Sequence, residues 1–458
     1  MKFPSLYTER TPLLKASGWK MLKRLTEHPD APRFNYATGD RLRREDLPLM
    51  RHYRAALRTR RGRRGPEPSE DILRWVEDLR ESVPWFADND ARGGAWGGIP
   101  TSSRADLAVA PWKFVPYDQP LDRLVIYRTA GTTGHPISVP HHPVAIRFYE
   151  AMIETALAYH GIKLEAGPLD VAALLIGAQI RTYTYAAVLS NWKGAGFAKL
   201  NIRPTEWPSE KSAARYIAAM DPEIMTGDPI SFSEMLRMGI KTTPRALITT
   251  SVALSPTLKK RLARAYHAPV IDWYSLVETG PIGYGCAKGR GYHVLPHDIH
   301  VEVVRADGTP APPGELGEIA VTGGRNVFMR MLRYRTGDFG RMDFAPCACG
   351  DPMPRIYDLE GRPPILFRSG DGTPVSTVDI SRLLREFPLL LHEFTQHADG
   401  TCELILRKVP NASVTKEEIR KAMMTLLGSA PMEIRFDAKL GDRTEGKAVP
   451  YRSEMVEE

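Results

Sequence analysis

The order of apolar and polar residues divides the chain into alternating helical and extended segments. Residues 143–160 begin with proline and precede a glycine, and apolar side chains recur at helical spacing at Ile146, Tyr149, Ile153 and Leu157. Short apolar runs at 171–176, 246–248, 269–271 and 319–321 are separated by helical patterns such as 209–220 and 255–266. Strands alternating with helices predict an α/β fold around a buried, largely parallel sheet.

Two later regions have different patterns. Residues 300–323 read as two alternating strands joined by a Gly/Pro-rich connection, which predicts a small antiparallel sheet. After residue 361 a compact α+β unit is expected, with helices at 378–387 and 416–427 and strands at 402–407 and 432–436. We therefore predict a large N-terminal domain over residues 1–360 and a small C-terminal domain over residues 361–458.

Composition is that of an ordinary globular protein, with 43% apolar and 25% charged residues among 458. No apolar run approaches the roughly 18 residues that cross a bilayer, and the first residues lack the apolar core of a signal peptide. We expect a cytoplasmic protein with no membrane partner. The few cysteines are expected to be reduced.

Positive charge is concentrated near the start of the chain. Residues 1–65 contain 17 Lys/Arg against 6 Asp/Glu, and the run 58–64 is the densest part. A basic nucleic-acid binder would use such a tract and would bind in a salt-sensitive way. Because no nucleic-acid motif accompanies the tract, we expect a solvated loop and no nucleic-acid partner.

One loop has a composition suited to phosphate. Residues 127–136 read YRTAGTTGHP and follow an apolar run, and Gly131 and Gly134 flank Thr132 and Thr133. Glycine lets a ligand approach the backbone, and hydroxyl and N–H groups bind phosphate oxygens. The common nucleotide P-loop is excluded because no Gly-Lys-Ser/Thr follows. On this evidence alone, an ordinary surface turn remains the alternative.

Three more stretches carry chemistry that is weak when each is taken alone. Residues 272–278 read DWYSLVE after a predicted strand, residues 334–338 read YRTGD, and residues 444–447 read TEGK. An aromatic ring near a carboxylate could stack on a base and hold a metal ion. A turn aspartate could hold ribose hydroxyls, although such aspartates more often stabilise the turn itself.

Together and in this order, these stretches resemble the adenylate-forming enzyme superfamily. IPTSSRADL at 99–107, PEIMTGDP at 222–229 and CACG at 347–350 are similar to its phenylacetate–CoA ligase-like branch. The resemblance runs from about residue 99 to the end, and the basic region before it matches only loosely. It implies a large lobe of mixed and parallel sheets flanked by helices, with a small mobile C-terminal domain.

The resemblance also implies ATP, Mg²⁺ and coenzyme A as ligands, with a role for each matching residue. Gly131, Thr132, Thr133 and Gly134 would hold the leaving pyrophosphate; Tyr274 would stack on adenine with Asp272 near its amine; Asp338 would bind ribose; Glu278 would hold Mg²⁺; Arg362 would mark the interdomain hinge. Lys447 would bridge the substrate carboxylate and the α-phosphate when the small domain closes.

The implied reaction is activation of a small-molecule carboxylic acid to acyl-AMP, followed by transfer to coenzyme A. An aryl or arylacetic acid is the expected substrate. Two alternatives stay open: transfer to an amine or a carrier-protein thiol, and a non-catalytic nucleotide-binding homologue. A homodimer would be unsurprising.

The sequence departs from the family at several motif positions. His135 and Ile137 stand where a lysine usually follows the phosphate loop, and Val277 stands where a threonine precedes the glutamate. Val277 cannot donate the threonine's hydrogen bond, although Thr279 could replace it. Residues 363–364 are both proline, which is expected to stiffen the hinge.

The cysteines suggest a second metal. Cys286, His293, Cys347 and Cys349 supply three thiols and an imidazole, a set that suits tetrahedral zinc. The two pairs are about 50 residues apart, so the spacing alone is only suggestive of a structural zinc site. Ordinary reduced cysteines are the alternative.

Overall fold

The computed structural model describes residues 5–59, 65–89, 95–128, 137–180, 182–296, 298–361, 365–442 and 450–455. Its helices are α1 (Ser5–Arg10), α2 (Ala16–Thr26), α3 (Asp46–Arg58), α4 (Glu70–Ser82), α5 (Pro84–Asp88), α6 (Arg104–Val109), α7 (Pro143–Tyr159), α8 (Ser212–Met220), α9 (Pro229–Arg237), α10 (Pro256–Tyr266), α11 (Thr377–Leu384) and α12 (Lys416–Leu427).

The strands are β1 (Ser102–Ser103), β2 (Val125–Arg128), β3 (Ser138–His141), β4 (Val171–Gly177), β5 (Tyr185–Leu189), β6 (Ala195–Asn201), β7 (Ile224–Gly227), β8 (Ala246–Thr249), β9 (Val270–Leu276), β10 (Gly280–Gly285), β11 (Tyr292–Val294), β12 (Ile299–Val304), β13 (Gly317–Gly323), β14 (Met331–Asp343), β15 (Arg355–Glu360), β16 (Leu366–Arg368), β17 (Pro374–Ser376), β18 (Leu389–Gln396), β19 (Cys402–Lys408), β20 (Met432–Phe436) and β21 (Tyr451–Ser453).

A long mixed sheet runs through the large part of the molecule. Its strand order is β12-β13-β14-β15-β11-β10-β9-β8-β7-β4-β6-β5, and β1 pairs with β14. The segment β9-β8-β7-β4-β6 is parallel, and α8, α9 and α10 lie in its connections. These strands read as apolar runs because both of their faces are covered. The predicted α/β class is confirmed.

The antiparallel strands predicted around residues 300–323 are β12 and β13, which pair from Ile299↔Gly323 to Val304↔Glu318. They are hydrogen-bonded into the same sheet as the parallel strands, through β14, β15, β11 and β10. As a consequence, the motifs that begin at residues 272 and 334 lie on strands of one sheet, β9 and β14, with β10, β11 and β15 between them.

The N-terminal region belongs to the packed structure. From α2, Met21, Leu22 and Leu25 enter the same core cluster as Leu174 and Leu200 of the sheet. The Tyr53 ring of α3 stacks on Phe148 of α7 with centroids 3.8 Å apart. Helix α2 packs in the core cluster that contains Leu247 and α3 in the cluster that contains Ile248. Consecutive residues of a strand point to opposite faces, so the helices of this region contribute to the cover of both faces of the sheet.

The C-terminal residues form a second, four-stranded sheet in the order β20-β19-β18-β21. Helices α11 and α12 cover it, around a separate core that includes Phe367, Phe394, Ile419 and Met423. Thr415 and Glu418 form a capping box at the start of α12, which fixes where this helix begins.

Candidate active site

The turn between β9 and β10 places a carboxylate at the end of a buried strand. Leu276 pairs with Gly280, and Gly280 has φ +73°, a conformation that favours glycine. Glu278 lies in this tight turn and is only 3% exposed. A buried carboxylate needs charged or hydrogen-bonding partners.

Glu278 has two such partners from distant parts of the chain. Arg104 Nη1 donates to Glu278 Oε1 at 3.1 Å, and the Tyr334 hydroxyl donates to the same oxygen at 3.0 Å. The backbone pairing Ser102↔Tyr334 between β1 and β14 brings these partners together. Both residues lie inside the motifs at 99–107 and 334–338, but sequence reasoning did not identify either as a site residue.

Tyr274 and Asp338 meet beside this group. The Tyr274 hydroxyl donates to Asp338 Oδ2 at 2.8 Å. Asp338 follows Gly337, which has φ +79°, and its backbone N–H donates to Thr336 Oγ1 at 3.1 Å. Burial, reinforced by the Asp338 charge, raises the pKa of Tyr274 well above its usual value. The phenol therefore remains a proton donor to this carboxylate.

Asp272 lies on β9 with its side chain turned towards protein donors. Its Oδ2 accepts from the Tyr292 hydroxyl at 2.6 Å, and its Oδ1 accepts from Thr249 Oγ1 at 3.2 Å and from the Trp273 N–H at 3.1 Å. Burial raises the pKa of Asp272 in spite of these bonds. Tyr292 is a third partner that the sequence analysis missed, and no signal in its own neighbourhood pointed to it.

Thr279 follows the buried glutamate. Its hydroxyl donates to the Gly280 carbonyl at 3.1 Å. Val277 is 39% exposed on the same turn. The hydroxyl that could replace the family's threonine is therefore present here, with its hydrogen directed at the backbone.

The cysteine–histidine set also comes together. Cys286 Sγ lies 3.5 Å from Cys347 Sγ, Cys349 Sγ lies 3.2 Å from His293 Nε2, and all four ligand atoms are within 4.8 Å of one another. The gap of about 50 residues is closed because β11 pairs with both β10 and β15. Cys286 directly follows β10, and the other two cysteines lie in the connection from β14 to β15.

The histidine is oriented for metal binding. His293 Nδ1 donates to the Met353 carbonyl at 2.9 Å, which leaves Nε2 facing the cysteines. The backbone N–H of Asp351 lies 3.4 Å from Cys349 Sγ. Three sulfurs and one imidazole nitrogen in this arrangement fit a tetrahedral zinc ion.

Several predicted site residues lie outside the described residues: Gly131, Thr132, Thr133, Gly134, Arg362 and Lys447. The basic run is described only at Arg58 and Thr59. The strands on either side of the threonine–glycine loop, β2 and β3, pair as an antiparallel hairpin from Val125↔His141 to Arg128↔Ser138.

Known structures share this architecture. A 2-hydroxyisobutyryl-CoA ligase in its postadenylation state, in complex with an acyl-AMP, matches with a TM-score of 0.62 and 17% identity, covering 85% of this chain and 91% of that one. The chain therefore shares the fold of this ligase. ATP-bound MatB from Rhodopseudomonas palustris matches with a TM-score of 0.50 and 16% identity, over 93% and 96% of the two chains. The fold class implied by the motif resemblance is thus confirmed.

Sequence comparison adds one distant relative. A phenylacetate–coenzyme A ligase of Thermus thermophilus is 22% identical over 249 residues, which are 52% of this chain. The match spans about half, 54%, of that relative's length. No family model matches the chain.

Within the described part of the chain, no helix combines the length and apolar character needed to cross a bilayer. The expected cytoplasmic location stays a prediction.

Proposed function

We propose that this chain is an ATP-dependent acid–thiol ligase of the adenylate-forming type. A carboxylate oxygen of the acid attacks the α-phosphorus of ATP, and the bond to pyrophosphate breaks to give acyl-AMP. The thiol of coenzyme A then attacks the acyl carbon, and AMP leaves. The observation that carries this proposal is the meeting of Glu278 with Arg104 and Tyr334, next to the Tyr274–Asp338 pair, on a fold shared with acyl-CoA ligases.

The roles of the described residues follow from their chemistry. Asp338 would accept hydrogen bonds from ribose hydroxyls, and Tyr274 holds that carboxylate in place. Glu278 is a single buried carboxylate, which suits Mg²⁺ because this ion is usually bound by one or two carboxylates together with substrate phosphates. When bound, Mg²⁺ would neutralise phosphate charge.

The remaining roles rest on the sequence. Thr132, Thr133 and Gly134 would hold pyrophosphate, and Lys447 would bridge the attacking carboxylate and the α-phosphate. Asp272 would approach the adenine amine while keeping its contact with Tyr292. An aryl or arylacetic acid is the proposed substrate, supported by the distant phenylacetate–CoA ligase relative.

Zinc is the second cofactor that we propose. The ligand atoms of Cys286, His293, Cys347 and Cys349 lie close together, and the Met353 carbonyl fixes the histidine tautomer. Bound zinc would tie the end of β10 to the β14–β15 connection, and β10 begins beside Glu278. Its role would be to hold the strands of the site in register.

Release of pyrophosphate from ATP, measured over a library of carboxylic acids, tests the function. Each acid is assayed with coenzyme A, an amine or water as the acceptor. We expect acid-dependent pyrophosphate release and an acyl-CoA product with an aryl or arylacetic acid. A product only with amines would favour the alternative acceptor. If no acid supports release or exchange of labelled pyrophosphate into ATP, the chain is a non-catalytic homologue.

A further inference from the structure

Arg104 forms an ion pair with Glu278, the carboxylate that we propose to hold Mg²⁺. The Arg104 side chain is 27% exposed and that of Glu278 is 3% exposed, so the pair is largely withdrawn from water. Removing one partner of such a pair leaves an uncompensated buried charge. If Glu278 holds Mg²⁺ bound to phosphates, a cation beside Glu278 lies close enough to be attracted by the phosphate charge.

The backbone around Arg104 holds it firmly in this place. Ser102 donates through its hydroxyl to the Leu332 carbonyl at 3.2 Å, and Ser103 forms a capping box with Asp106 at the start of α6. Leu107, on the same helix, packs in one core cluster with Tyr334 and with Ile137. Ile137 is the first described residue after the threonine–glycine loop.

The central part of the threonine–glycine loop carries little positive charge. Arg128 stands near its start, and residues 129–136, TAGTTGHP, contain neither lysine nor arginine. Two or three phosphates carry several negative charges, and a water-excluding site that binds them needs fixed positive charge. Arg104 lies on a segment anchored by Leu107, and Leu107 packs in the same core cluster as Ile137, which follows this loop.

We propose that Arg104 is a catalytic residue that contacts the β- and γ-phosphates of ATP and the departing pyrophosphate. This inference rests on the proposed function. A guanidinium carries five N–H donors in a fork that matches phosphate oxygens, so the contact with Glu278 through Nη1 is compatible with phosphate contacts. Arg104 thereby supplies the charge that His135 and Ile137 do not.

Binding measurements separate this role from a structural one. The affinities of the wild-type chain, Arg104→Gln and Arg104→Lys for ATP, inorganic pyrophosphate and AMP are compared by calorimetry in the presence of Mg²⁺. We expect Arg104→Gln to bind ATP and pyrophosphate at least about 10-fold more weakly, because a hydrogen bond to a charged group is lost, with AMP affinity unchanged. Arg104→Lys should recover part of this loss.

The matched control is Arg54→Gln. Arg54 pairs with Glu154 at 2.7 Å, with side chains 21% and 25% exposed, between α3 and α7. The Arg54→Gln variant should lose about as much thermal stability as Arg104→Gln. Its affinities for ATP, pyrophosphate and AMP should stay at the wild-type values.

Two outcomes overturn the inference: unchanged ATP and pyrophosphate affinities in Arg104→Gln, or equal loss of AMP affinity, which marks a general distortion of the site. Pyrophosphate exchange by the wild-type chain is measured alongside. If the wild-type chain catalyses exchange and Arg104→Gln keeps its affinities, only the role of Arg104 is rejected. If Arg104→Gln selectively loses pyrophosphate affinity but the wild-type chain catalyses no exchange, the phosphate contact is supported and the proposed ligase activity is rejected.

Discussion

Two phenols, Tyr274 and Tyr334, each donate a hydrogen bond to a carboxylate of the site. Burial, together with the adjacent carboxylates, raises the pKa of both well above the ordinary value. Both hydroxyls are therefore protonated at neutral pH. They hold Asp338 and Glu278 in place, which would lower the entropic cost of ordering the site when the proposed nucleotide binds.

Replacing Asp338 by alanine should weaken ATP binding. The loss of hydrogen bonds from ribose hydroxyls to a charged acceptor is expected to cost about 1.5–3 kcal/mol, or roughly 10- to 150-fold in affinity. Titration calorimetry with ATP measures the effect. Asp371→Ala is the control, since Asp371 stabilises an exposed turn by accepting from the Thr373 N–H at 3.1 Å. An unchanged dissociation constant in Asp338→Ala would reject the ribose role.

At the scale of elements, strand pairing brings together the cluster of three cysteines and one histidine. Cys286 directly follows β10, and His293 is the central residue of β11, where it pairs with Tyr284 of β10. The Tyr284 hydroxyl donates to Asp351, two residues after Cys349. The connection that carries Cys347 and Cys349 is therefore held against β10 by protein contacts as well as by any bound metal.

Zinc analysis of the purified protein should find roughly one ion per chain, because the four ligands complete a tetrahedral site. Cys349→Ser should lose most of this zinc, whereas Cys402→Ser should retain it, since Cys402 lies on β19 in the small C-terminal sheet. A zinc ion that binds only the folded site, at a thousandfold excess over its dissociation constant, would stabilise the fold by about 4 kcal/mol. A chelator that removes no metal and leaves the melting temperature unchanged would refute the zinc site.

Elements with a strong local signal agree with the sequence-based boundaries. Helix α12 and strand β20 begin and end where periodicity and capping residues place them, and α7 ends one residue before the predicted 160. Strand β18 was missed because its sequence, LLLHEFTQ, places two polar residues after three leucines and so lacks the alternation of a half-buried strand. Its strand character comes from pairing with β19 and β21, which local sequence does not encode.

The site was predictable only in part, for the same reason. Glu278, Tyr274 and Asp338 stand in recognisable motifs, so each could be proposed as a site residue from its own stretch of sequence. Arg104 reaches Glu278 across 174 residues, through the register Ser102↔Tyr334. Contacts of this kind depend on sheet order, which a single sequence does not specify.

At the scale of the whole molecule, the C-terminal sheet is docked on the large part through an apolar contact. Leu390 and Val409 are buried in the same core cluster as Phe232 and Leu262. Arg385 Nη2 donates to Glu360 Oε1 at 2.9 Å. Glu360 is the last residue before the proposed hinge, which begins at residue 361. Any rotation of the small domain has to expose this apolar contact or exchange it for another.

Lys447→Ala tests whether the C-terminal part contributes to the chemistry. A preorganised ammonium that acts on the transition state should be worth about 3–4 kcal/mol, so acid-dependent pyrophosphate exchange should fall roughly 10²- to 10³-fold. ATP affinity should stay near the wild-type value, because the charge acts mainly after binding.

The control is Lys439→Ala, which removes a cation at an exposed position shortly before residue 447. Exchange that survives at the wild-type rate would show that the lysine has no part in adenylation. A parallel fall in ATP affinity would instead place its charge in the ground-state complex.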